Sequence, residues 1–113
     1  MASVYVNNLV INSGSDFSQT FTLENSDTNS ALDLSVYSVS SQIRKWAGSS
    51  TAINFSCSVV DAFEGIISIS LTNSQTTSLK PGRYVYDVVI TDNVGQKNKV
   101  IEGMALVREG VTR

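Results

Sequence analysis

A chain of 113 residues with a formal net charge of −2, 42% hydrophobic and 16% charged, is sized for one globular domain spanning 1–113 and is too apolar for a disordered segment. It contains no histidine, which removes the commonest metal ligand and the Ser-His-Asp and Cys-His catalytic arrangements, and its single cysteine, Cys57, falls short of a disulfide or a thiolate cage. Its basic residues form no run beyond Arg44-Lys45, so the stripe that neutralises nucleic-acid phosphates is missing.

No apolar run approaches the roughly 20 residues that cross a bilayer. The start "MASVYVNNLV" lacks the basic n-region and continuous apolar stretch of a signal peptide, so synthesis and folding in a cytoplasm are expected. Ser and Thr make up about a quarter of the chain, which favours strands and turns over helices.

In chain order, "SVYVNNLVIN" reads as a first strand. In "DFSQTFTL" the residues Phe17, Phe21 and Leu23 alternate with Ser18, Thr20 and Thr22, the period of a half-buried strand, with Gln19 interrupting the inward row. Residues 25–34 gather Asn, Ser and Asp and read as a loop. A strand is predicted from Val36 to Trp46, alternating through Tyr37, Val39, Ser41 and Ile43. Another is predicted through Ile53, Phe55, Cys57 and Val59, paired across "VDAFEG" with "IISISL".

The segment "TNSQTTSLKPG" fits one or two helical turns, with Thr72 or Ser74 as the cap and Pro81-Gly82 as a type II turn beyond it. In "RYVYDVVIT", Tyr84, Tyr86, Val88 and Ile90 share one face while Arg83, Val85, Asp87 and Val89 share the other. The second face is half apolar, so this strand is predicted to be central. "DNVGQ" reverses the chain. "KVIEGMALVRE" returns with Val100, Met104 and Leu106 on one side and Ile101, Ala105 and Val107 on the other, with a bulge or an exposed end expected near Glu102-Gly103. About seven short strands without a long helix predict an all-β, immunoglobulin-like antiparallel sandwich, with a small barrel as the alternative that periodicity leaves open.

Residues capable of chemistry are sparse. Asp27 with Asp33 and Asp61 with Glu64 are close in sequence, but both pairs fall in predicted turns, where Asp serves the backbone. No catalytic, metal or cofactor site is expected. Trp46, Tyr5 and Tyr37 are the candidate contacts for a partner or a glycan, Trp46 because it stands beside Arg44 and Lys45.

The stretches "SGSDFSQTFTL", "SVSSQIRKW" and "GIISISLTNSQTTSLKPGRYVYDVVITDNVGQKNKVIEGMALVREGVTR" follow one another in an order that resembles small virion structural proteins of tailed phages, especially T4-like phages of cyanobacteria. The same frame is similar to the N-terminal domain of the upper baseplate proteins of lactococcal phages. It runs through a Ser/Gly-Asp-aromatic start, a strand ending in Ile43-Arg44-Lys45, a Pro81-Gly82-Arg83-Tyr84 entry and a terminal valine strand. The resemblance implies a non-enzymatic virion subunit of the tail, baseplate, neck or capsid decoration, meeting other virion proteins and copies of itself. Those baseplate proteins continue into further modules, whereas a chain ending at "REGVTR" suits an accessory subunit. The alternative expectation is a module that binds a host-surface carbohydrate.

Overall fold

Apolar residues recurring at period two build nine strands and one short helix among the residues described by the structure, a computed structural model covering 5–24, 33–50 and 52–110. In chain order these are β1 (Tyr5–Val6), β2 (Leu9–Asn12), β3 (Phe17–Thr22), β4 (Ser38–Arg44), β5 (Ala52–Asn54), β6 (Ser56–Asp61), β7 (Ile66–Leu71), α1 (Asn73–Thr77), β8 (Gly82–Thr91) and β9 (Lys97–Arg108). The larger sheet runs β1-β9-β8-β4-β5, with β2 also pairing β9, and the smaller runs β3-β7-β6. The fold is thus an all-β sandwich of two sheets. The expected loop over 25–32, including Asp27, lies outside the described residues.

Ile67, Ile69 and Leu71 of the smaller sheet meet Ile43, Tyr86, Val88, Ile90, Ala105 and Val107 of the larger, all buried, while their chain neighbours point outward. β8 lies between β9 and β4, as its half-apolar second face predicts. The predicted strand through Phe55 is two strands. Asn54 pairs with Gln42 in the larger sheet, whereas Ser56 pairs with Ser70 in the smaller. Phe55 makes the crossing, its N–H donating to the Ser41 carbonyl at 3.0 Å. Its ring lies 6.0 Å from Phe17 and 6.2 Å from Tyr86, so one buried aromatic cluster joins the two sheets.

The N-terminal strand also divides, and it pairs in a sense the sequence does not announce. β1 and β2 both run parallel to β9, so the sandwich is not antiparallel throughout. Between them Asn7 donates to the Glu102 carbonyl, and the Asn8 side chain accepts from the Met104 amide at 3.1 Å. Gly103 lies against this link, where a Cβ would meet the Asn7 carbonyl oxygen at 2.1 Å. Its role is therefore close approach and not a bulge. The bulge sits earlier: Val88 opposes Ile101 and Val89 opposes Lys99, leaving Val100 as the extra residue, so Val100 and Ile101 are both buried.

At the other end of the sandwich, Thr72 and Gln75 form a reciprocal capping box on α1. Thr76 is fully buried, its hydroxyl accepting from the Gly14 amide and donating to the Ser15 carbonyl, while Asp16 accepts from the Asn73 amide. These bonds fasten a helix too short to persist alone. Gly82 does adopt a positive φ, but at 145° it is far from the roughly 80° of a type II turn, and it already pairs with Val107 as the first residue of β8.

Gly103→Ala should destabilise the fold by about 1–3 kcal/mol in urea unfolding, because the new methyl meets backbone that cannot retreat without breaking β1 and β2 from β9. An unchanged midpoint would show that the approach of Asn7 to Gly103 is loose. Tyr86 offers a second check. Its hydroxyl donates to the Asn7 carbonyl at 2.6 Å, and burial pushes its phenol up to about 12. Between the ordinary value near 10 and that value, the unfolded chain releases a proton that the folded chain keeps, so stability falls as pH rises through this window. Wild type should lose on the order of 2 kcal/mol more than Tyr86→Phe between pH 9 and 11.5; parallel losses would mean the phenol is solvated.

Candidate interaction face

The half-apolar row of β8 emerges on the side of the larger sheet that faces away from the smaller. Val85 lies opposite Met104 on β9 and Arg44 on β4, Asp87 opposite Glu102 and Gln42, and Arg83 opposite Leu106, which is paired with Val10 of β2. Opposed residues share a face, so Val6, Val10, Val85, Met104 and Leu106 form one apolar stripe across β1, β2, β9 and β8. Val6 is 74% exposed, Val10 52%, Met104 46% and Leu106 42%, which makes the stripe a surface and not an extension of the core.

Charge borders the stripe. Lys99 Nζ lies 3.4 Å from Glu102 Oε2 and 3.8 Å from Asp87 Oδ2, with all three side chains nearly half exposed. Pairs of that kind contribute about 0–1 kcal/mol each, so they set local sign more than stability. Arg44 is held flat, donating to the Ser49 carbonyl and, at 2.8 Å, to Gln42 Oε1. Gln42 in turn donates to Asn54 Oδ1 at 2.7 Å. Together they border a shallow cleft of about 760 Å³ floored by Val85 and Met104 and closed on one side by Gly48 and Ser49.

The three aromatic candidates do not converge. Trp46 is 62% exposed in the turn after β4, its ring 3.7 Å from the position a Gly48 Cβ would take, so it stands at the rim of this cleft. Tyr37 precedes β4 at its other end and is half-buried against the core. At roughly 3.3 Å per residue the seven-residue strand between them spans about 20 Å, too far for one small ligand. The backbone of Tyr5 pairs with Ile101, while its side chain lies outside the described residues. Val10, Met104 and Leu106 are not among the sequence-predicted candidates. The usable signal was the apolar half of the second face of β8.

The carboxylates mostly serve the backbone. Asp61 accepts from the amides of Phe63 and Glu64, and Asp92 from those of Val94 and Gln96. The Ser35 amide and side chain hold the exposed Asp33 carboxyl below its ordinary value. Among the described residues no three His, Cys, Asp or Glu side chains gather as metal ligands would. Cys57 is half-buried with its thiol directed at the Phe55 carbonyl, and burial pushes the thiol up, away from the reactive thiolate.

No protein-family model and no curated protein matches the chain. Among solved structures it is similar to an internalin-like protein of Listeria monocytogenes, at 16% identity and a TM-score of 0.44, over 93% of this chain and 28% of that one. The chain therefore spans about 28% of that protein's length, and a likeness this distant assigns no function.

Proposed function

We propose that the chain is a non-enzymatic structural subunit of a tailed-phage virion, and that it assembles by packing the outer face of its larger sheet against a second copy of itself. The observation that carries this reading is the apolar stripe of Val6, Val10, Val85, Met104 and Leu106, all but the half-buried Val85 exposed, on the outer face of the larger sheet. Burying such a stripe stabilises association at about 25 cal/mol per Å² of apolar area, and monomers seldom leave one uncovered without a use. Both signs of charge flank it, with Arg44 on one side and Asp87, Lys99 and Glu102 beside it, so a two-fold axis through the stripe can set cation against anion. The resemblance of the "PGRYVYD" frame to virion proteins supports the setting, and tail, baseplate, neck and capsid-decoration positions all suit a small sandwich. Other virion proteins would meet the remaining surface.

One observation favours a second reading, a host-glycan module: the indole of Trp46 is 62% exposed and lies against Gly48, which lines the same cleft as Gln42 and Arg44, and a flat apolar ring near polar groups is what sugars fit. Light scattering over a concentration series separates the two. Wild type should reach a discrete multiple of 12.2 kDa, while Val10→Glu and Met104→Glu, both at exposed positions, should remain at 12.2 kDa with unchanged circular dichroism. A wild type that stays monomeric at every concentration, or an oligomer indifferent to both substitutions, overturns assembly through this face. Protection of Trp46 from acrylamide quenching by a saccharide in the monomer would then support the glycan module.

A further inference from the structure

We propose that a second cleft, between the turn after β4 and the segment from Leu79 to Tyr84, binds a small amphipathic carboxylate: an aliphatic or aromatic body carrying one anionic head. The cleft measures about 410 Å³, within the range of roughly 300–1,000 Å³ typical of small-ligand sites and toward its lower end. Its apolar lining comes from Ile43, Ile53, Leu79, Pro81 and the ring of Tyr84. Ile43 opposes both Ile53 and Tyr86 across the strands, so these side chains belong to the inner face of the larger sheet, at the edge where the chain leaves β5 for the smaller sheet.

The ionisable side chains on the lining are Arg44, Lys45 and Lys80, together with the phenol of Tyr84, and no carboxylate is among them. In a chain of net charge −2 this is a local reversal of sign. The walls are already set. The Tyr84 hydroxyl donates to the Lys80 carbonyl at 2.8 Å, which fixes the ring and the 80–84 turn together. The Lys45 ammonium stands 4.7 Å from the centre of that ring, held at the mouth by the cation–π contact. Arg44 is engaged by Ser49 and Gln42, leaving the two lysines to meet the head group. An apolar body is favoured by the floor and a carboxylate by the ammonium pair, and neither alone uses both.

The test is a titration of the nitrogen-15-labelled protein with octanoate, followed by amide shifts, with inorganic phosphate and octyl glucoside as separate probes. Octanoate should give saturable shifts confined to Ile43, Ile53 and 79–84, and the Lys45→Gln/Lys80→Gln variant, altered only at exposed side chains, should bind at least tenfold more weakly. Phosphate and octyl glucoside should each bind far more weakly than octanoate. Three results would overturn the proposal: no saturable shift, equal binding by the double variant, which means apolar partition alone, or an equal response to phosphate, which means an adventitious ion only. None of these depends on whether the outer sheet face assembles.

Discussion

The backbone of Asn7 lies against Gly103 with no room for a side chain between them, and the larger sheet is organised around that contact. Because residue 103 has no Cβ, the Asn7-Asn8 link between β1 and β2 can press against β9 there, giving its amide to Glu102 while Asn8 takes the Met104 amide. The Asn7 carbonyl accepts from the Tyr86 hydroxyl, and the Tyr86 ring packs edge-on to Phe55, which touches Phe17 of the smaller sheet. Core, inter-sheet crossing and outer edge are thereby one connected set of contacts. Removing a ring at its centre costs about 3–5 kcal/mol by burial and cavity alone. The same close approach keeps β1 and β2 in one register along the edge of β9, so that Val6 and Val10 extend the apolar stripe begun by Met104 and Leu106.

Much of the architecture was legible because it is local. The alternation in β8 places four side chains inward, the Thr72 and Gln75 spacing caps α1, and "DNVGQ" turns the chain with Asp92 accepting backbone amides. What escaped was set by partners distant in sequence. Nothing near Gly103 indicates that its constraint lies 96 residues away, and a glycine in a strand is equally consistent with a bulge. Phe55 reads as one more inward residue of a continuous strand, although it is the point where the chain changes sheets. The bulge at Val100 adds one residue, which turns Val100 inward with Ile101 and separates it from Met104 and Leu106. A single inserted position thus exchanged faces and hid the stripe from a reading by period.

For the site the lesson is similar. Exposure of Trp46 agrees with its place in a turn, but its distance from Tyr37 follows from the strand between them, so three aromatics chosen by type do not compose one surface. The face that does compose one is assembled from singly ordinary residues, a valine here and a methionine there, brought together by cross-strand register. Its charges are exposed and weakly coupled, suited to fixing orientation and partner choice more than to supplying affinity. The lysine-rimmed cleft adjoins it at Arg44 and Ser49, and its apolar walls are inner-face side chains near the Pro81 turn.

The most direct test of the assembly face is the oxidation rate of Met104 by dilute peroxide, followed by mass spectrometry at low and high protein concentration. Met104 sits in the middle of the stripe with its thioether on an exposed position, so it reports whether that face is covered. The account predicts slow oxidation where copies associate and fast oxidation on dilution, with the transition following the change in mass. Equal rates at every concentration, with association present, would contradict it and move the contact to another surface.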